Sequence, residues 1–221
     1  MGLINNLNFP YQFIVIEGNI GAGKTTLCQM IADETNSRMI LEKFADNPFL
    51  SSFYENPERF AFQVELFFMA ERHKHLQEEL SQTDIFQNKI VADYFFLKTL
   101  LFAQKNLKDE EFRLFQSLFQ VLNASFAKPD IIFYLHRPVN ILLKNIEKRG
   151  REFEKSIKEE YLQNIQSAYL DYFKIQNTLP VVILNMNETD YATNPKNYEK
   201  LKSLFQQKFK IGTHYIDFEE I

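Results

Sequence analysis

Short runs of apolar and β-branched residues alternate along this chain with longer segments whose apolar residues recur every three or four positions. Phe13-Ile14-Val15-Ile16, Arg38-Met39-Ile40-Leu41, Lys89-Ile90-Val91-Ala92, Ile131-Ile132-Phe133-Tyr134-Leu135 and Val181-Val182-Ile183-Leu184 have the length and composition of buried strands. The segments between them read as helices. Pro57 suits the first turn of a helix running through Phe60, Val64, Phe67 and Phe68 toward Leu80. Lys108 to Ala127 places Phe112, Phe115, Leu118, Phe119 and Leu122 on one stripe, Pro138 opens another helix, Glu154 to Lys174 forms a further one, and Asn194-Pro195 starts the last. Strands alternating with helices predict an α/β fold: a parallel sheet covered on both faces. No internal repeat, low-complexity linker or compositional break divides the chain, so residues 1–221 are expected to form a single domain.

Composition narrows the classes. The 221 residues are enough to bury one full core, and 45% hydrophobic with 24% charged residues is globular composition. The richest apolar segment, Leu66 to Ala70, runs straight into Glu71 and Arg72, far short of the roughly 20 apolar residues of a membrane span. No membrane association is expected. The N-terminus lacks the basic and apolar regions of a signal peptide. The single cysteine, Cys28, excludes an intrachain disulfide and fits a reducing, cytoplasmic compartment, with a small apolar role on its helix. A net charge of −4 argues against a duplex nucleic-acid surface but not against a small phosphorylated ligand. His73, His75, His136 and His214 show no metal-ligand spacing. The 23 phenylalanines suit a helix-rich core, and some rings could line a pocket for a flat aromatic ligand.

The strongest local signal follows the first strand. Gly18-Asn19-Ile20-Gly21-Ala22-Gly23-Lys24-Thr25-Thr26 fits the phosphate-loop pattern between a strand and a helix. Its glycines let backbone amides approach an anion, and the next helix offers it an N-terminus. Lys24 would reach the transferring phosphate and the Thr25 hydroxyl would hold Mg²⁺, which implies ATP or GTP as ligand. The bland alternative is a glycine-rich turn with an exposed lysine.

Further candidates gather around that loop. Glu42 and Asp93 each follow a strand, and in an open parallel sheet the carboxyl ends of the strands form the ligand crevice. Two carboxylates there could divide general-base work and Mg²⁺ positioning, with Asp93 the candidate second metal ligand, or could be ordinary strand-end residues. Lys144, Lys148, Arg149 and Arg151 crowd around Gly150, as expected of a cationic lid over 144–156 or of a solvated helix end. On the helix from Pro57, Glu65 and Arg72 are two turns apart on nearly one face, and Gln63 offers an amide donor and acceptor. These could read a nucleobase, or Glu65, Glu71, Arg72 and Lys74 could simply form surface salt bridges.

Taken in order, these pieces resemble the deoxyribonucleoside kinase family. The matching phrases are Ile16-Glu-Gly-Asn-Ile-Gly-Ala-Gly-Lys-Thr-Thr26, Leu41-Glu-Lys-Phe44, Tyr54-Glu-Asn-Pro-Glu-Arg-Phe-Ala-Phe-Gln63, Ala70-Glu-Arg-His73 and Ala92-Asp-Tyr94, then Lys148-Arg-Gly-Arg-Glu-Phe-Glu154 and Glu160-Tyr-Leu162. They span nearly the whole chain and look more like bacterial purine deoxynucleoside kinases than thymidine-specific relatives. The resemblance implies a five-stranded parallel sheet, ATP as phosphate donor, a deoxynucleoside acceptor phosphorylated at its 5′-hydroxyl, and dimers formed through helices. It gives Glu42 the role of hydrogen-bonding and deprotonating that hydroxyl. Tyr54 and Glu154 would meet the 3′-hydroxyl, and Arg149 and Arg151 the ATP phosphates. The segment Asn185 to Tyr191 resembles the loop around the adenine. Two departures stand out. The acidic-Arg pair usual after the third strand is Asp93-Tyr94 here, and Lys98 lies near where many relatives place an aspartate. An ungapped match puts Glu65 in place of the base-reading glutamine and Arg72 in that of a nearby arginine, whereas a two-residue shift would use Gln63.

The expectation is a purine deoxynucleoside kinase of nucleotide salvage. A nucleoside monophosphate kinase and a non-catalytic, nucleotide-switched interaction module are the alternatives.

Overall fold

A computed structural model describes residues 9–43, 47–81 and 89–221, so Phe44 lies outside the described residues. Strand β1 (Phe13–Gly18) leads into α1 (Lys24–Thr35), β2 (Arg38–Ile40), α2 (Leu50–Glu55) and α3 (Pro57–Ser81). Then come β3 (Ile90–Ala92), α4 (Leu97–Asn106), α5 (Asp109–Asn123), β4 (Ile131–His136) and α6 (Val139–Arg149). A 3₁₀ turn at Glu152–Glu154 precedes α7 (Glu159–Ile175), β5 (Pro180–Asn185), α8 (Pro195–Phe205) and β6 (Gly212–Asp217).

The strands form one sheet in the order β2-β3-β1-β4-β5-β6, and every pairing is parallel. β1 lies centrally and is wholly buried, with its residues alternating between two cores. Phe13 and Val15 join Val64, Leu101, Phe115, Ile165 and Tyr169 from α3, α4, α5 and α7. Ile14 and Ile16 join Leu27, Ile31, Leu142, Leu201 and Phe205 from α1, α6 and α8. Both faces of the sheet are therefore dry, as the apolar strand runs require. Much of the phenylalanine excess fills these layers. Phe96 stacks on Phe119 at 5.0 Å between ring centres, and Phe133 meets Phe205 at 4.3 Å.

The sheet corrects the five-strand expectation: β6 adds a sixth strand beside β5. It is an edge strand whose residues are half-buried or, like Tyr215, exposed, so it lacks the continuous apolar run that marks its neighbours. Helix boundaries differ too. The expected helix from Glu154 splits, leaving Glu154 in the 3₁₀ turn and starting α7 at Glu159. Helices α2 and α4 had no expectation; α4 is buried on much of its surface.

Candidate active site

The phosphate loop joins β1 to α1 and is held from three sides. Tyr191 Oη donates to Gly23 O at 2.8 Å, Asn145 Nδ2 to Gly21 O at 2.8 Å, and the buried Arg137 donates Nε–H to Ala22 O at 3.1 Å. Arg137 also donates to Asn187 O and Thr189 O, tying the phosphate loop to the segment after β5. Gly23 has φ +97°, and a Cβ there would sit 2.3 Å from the Tyr191 hydroxyl, so glycine is required twice over. Asn19 anchors the loop to α7 through Nδ2 donation to Leu162 O at 2.8 Å. Ile20 lines the neighbouring cavity, and Thr26 is exposed on the first turn of α1. Lys24 Nζ donates to Asn19 O at 2.9 Å. Burial and then the charge of Lys98 lower its ammonium to about 8, against the raising influence of Glu17, Glu42 and Asp93. An anion in the loop would restore the full charge.

Glu42 and Asp93 lie at the ends of adjacent strands, as their positions implied, and are directly connected. Glu42 N–H donates to Asp93 Oδ1 at 2.7 Å, and the Thr25 hydroxyl donates to Asp93 Oδ2 at 2.5 Å. Two hard oxygen groups thus converge beside the phosphate loop. That donor set suits Mg²⁺, which takes few protein oxygens and completes its shell with phosphate and water.

The Glu42 side chain is 4% exposed and clamped by two cations. Arg72 Nε and Nη2 approach Oε1 at 2.9 and 2.7 Å, and Lys98 Nζ meets Oε2 at 2.5 Å. Burial opposes its negative charge, yet Lys98 and Arg72 outweigh burial and hold the carboxyl well below the usual range. Glu42 is therefore an ionised acceptor at neutral pH. Lys98 reaches Glu42 from α4, whereas Tyr94, beside Asp93, bonds His75 at 2.7 Å. Its signal in the sequence was weak, because a lysine inside an apolar helix shows its importance only once its partner is known.

Beyond Glu42 a cavity opens between α2, α3, α4, α7 and the 3₁₀ turn. Tyr54, Glu65, Phe68, Arg72, Lys98 and Tyr161 are among its walls, as are Phe53, Phe102, Phe153 and Glu154. Several phenylalanines thus frame an aromatic-lined space beside Arg72 and Lys98. Tyr54 packs edge-on against Tyr161, and burial, followed by the charges of Glu154 and Glu65, pushes its hydroxyl up. Glu65 is buried inside the cavity, whereas Gln63 is exposed on the other side of α3. The helix therefore turns Glu65, and not Gln63, toward the cavity. Glu65 Oε1 accepts from Asn106 Nδ2 at 2.6 Å.

The basic segment divides. Arg149 and Arg151 both turn to Glu154, with Arg149 Nη2 at 2.5 Å and Arg151 Nη1 at 3.4 Å, so all three meet at the cavity's edge. Lys144 does not join them; it is exposed on α6 and faces Glu188 at 3.9 Å. Arg137 was missed by the sequence reading, its one signal being a position directly after β4, and Tyr191 entered it only as the end of the segment from Asn185, without its hold on the phosphate loop.

No helix among the described residues is long and apolar enough to cross a membrane. Comparison with known proteins agrees with this architecture. The deoxynucleoside kinase family model matches residues 14–209. The chain is 36% identical over 196 residues to a deoxyguanosine kinase of Bacillus subtilis, covering 86% of this chain and 93% of that protein. It is 32% identical to a deoxyadenosine kinase of Dictyostelium discoideum over 85% of this chain and 77% of the relative. The fold matches a solved deoxyadenosine kinase of M. mycoides with bound dATP at a TM-score of 0.70, with 22% identity, covering 86% of this chain and 97% of that one. The chain belongs to the deoxynucleoside kinase family.

Proposed function

We propose that the protein transfers the γ-phosphoryl group of ATP to the 5′-hydroxyl of a purine deoxynucleoside. The observation that carries this reading is the ionised Glu42 carboxylate, tied through Asp93 to Thr25 of the phosphate loop and clamped by Arg72 and Lys98, which line an aromatic-walled cavity. An alcohol needs a base to accept its proton as it attacks phosphorus, and Glu42 is held for that role by Arg72 and Lys98. Lys24 neutralises phosphate charge, and Arg149 and Arg151 exchange their contact with Glu154 for the phosphates. Thr25 and Asp93 would hold Mg²⁺, which supplies further charge neutralisation on the phosphate oxygens. Tyr54 and Glu154 serve the sugar end of the cavity.

A monophosphate acceptor fits less well. It would bring a second phosphate toward Glu42, where the neighbouring cations Arg72 and Lys98 are already engaged by that carboxylate. The exposed stripe Leu114, Leu118 and Val121 on α5 supports a homodimer formed through helices. A cytoplasmic salvage role completes the reading.

An acceptor panel tests it. Purified protein with Mg-ATP should release ADP with purine deoxynucleosides and not with deoxynucleoside monophosphates. ADP release only with the monophosphates, or with no acceptor at all, would overturn the proposal.

A further inference from the structure

A further cavity lies outside the candidate active site. It has a volume of about 280 Å³ and shares no wall residue with the cavity beside Arg72 and Lys98. Helices α4, α5 and α7 and the segments leading into β4 and β5 enclose it, with Phe95, Phe119, Phe126 and Leu179 among its apolar walls. Phe119 is buried, unlike the exposed stripe Leu114, Leu118 and Val121, so the cavity sits behind the α5 face proposed for the dimer.

Two polar groups in this wall have no partner. Gln176, at the C-terminal end of α7, donates Nε2–H to Thr178 Oγ1 at 3.2 Å. Its Oε1 is buried with no hydrogen bond among the described residues. A buried acceptor left open is costly unless a ligand completes it. Lys128, exposed between α5 and β4, is the one charged residue in the wall and forms no ion pair among the described residues. Neither group takes part in the proposed phosphoryl transfer.

We propose that this cavity binds a small aromatic anion that carries one N–H donor. Its ring packs among Phe95, Phe119 and Phe126, its N–H is donated to Gln176 Oε1, and its anionic group pairs with Lys128 at the mouth. The size follows from the volume. Drug-sized ligands take roughly 300–1,000 Å³, so a cavity just below that range suits one or two fused rings. The sign follows from the walls, which hold a cation and no carboxylate. The donor follows from the open Oε1, since a ring bearing only acceptors would leave that atom buried and unpaired. This goes beyond the kinase reading and does not depend on it.

The chain contains no tryptophan, so indole-3-acetate can be excited selectively and its fluorescence anisotropy reports its own binding. It should bind saturably at one site per chain, and equally well with Mg-ADP and deoxyguanosine present. 1-Naphthaleneacetate, which lacks the N–H, should bind about threefold to tenfold more weakly, and Gln176→Leu should abolish that difference. Lys128→Met should weaken indole-3-acetate by up to about fivefold and flatten its salt dependence, as expected of an exposed charge. Ala124→Phe adds a ring to an exposed wall position and should lower affinity more than about tenfold, with thermal unfolding unchanged. The absence of saturable binding, displacement by Mg-ADP with deoxyguanosine, or wild-type affinity in both Gln176→Leu and Ala124→Phe would each overturn the assignment.

Discussion

The phosphate loop and the acceptor cavity lie side by side but are built by different means. The loop is one contiguous stretch, Gly18 to Thr26, whose own backbone would supply most of the proposed anion site; Arg137, Asn145 and Tyr191 hold its shape. The cavity takes its walls from α2, α3, α4, α7 and the 3₁₀ turn, and the Glu42 carboxylate beside it is clamped by Lys98, which lies 56 positions away in sequence. Backbone chemistry tolerates change around it as long as the glycines remain. A cavity of separate charges depends on each partner, because in a buried setting the loss of one leaves another uncompensated.

That contrast can be broken at its junction. Glu42→Gln should produce the largest effect, lowering kcat by about 10²–10⁴-fold while ATP binding, followed by calorimetry, stays near wild type. Equal loss of both would mean that the two regions are one structural unit. Lys98→Met is next. It leaves Glu42 with Arg72 alone, and kcat should fall about tenfold to a hundredfold with little change in KM for ATP. The fold should also lose roughly 3 kcal/mol in urea unfolding, since the broken pair is buried.

A smaller effect separates stability from chemistry. The Glu65 carboxyl is raised from 4.5 to about 7, so the folded state holds a proton that the unfolded chain gives up within that window. Wild-type stability therefore falls as pH rises through the window and levels off above it. Glu65→Gln removes this term, and its advantage over wild type should grow across the same range to about 1–3 kcal/mol in urea unfolding. A stability difference that shrinks with rising pH would contradict the placement of Glu65. Gln63→Ala should do least, changing KM for the deoxynucleoside by less than about twofold, because its side chain faces solvent. A large rise in KM would move base recognition to the outer face of α3.

The same division explains what could be read before the fold was known. The phosphate loop is fixed by local sequence, and Glu42 and Asp93 were legible because each directly follows an apolar strand. Glu65 and Gln63 could not be separated by spacing alone; burial of one face of α3 decides between them. Lys98, Arg137 and Tyr191 act through partners brought in by tertiary packing, which no window of sequence contains. The edge strand β6 was hidden for a related reason. Half of its surface faces solvent, so it never needed the apolar run by which the inner strands are recognised.

Phosphorus NMR of the protein with Mg-ATP and deoxyguanosine follows the transferred group itself. The account predicts that the γ-phosphoryl signal is replaced by a deoxynucleoside 5′-phosphomonoester in step with ADP. Conversion to inorganic phosphate, or ATP left intact beside unmodified deoxyguanosine and deoxyadenosine, would contradict it.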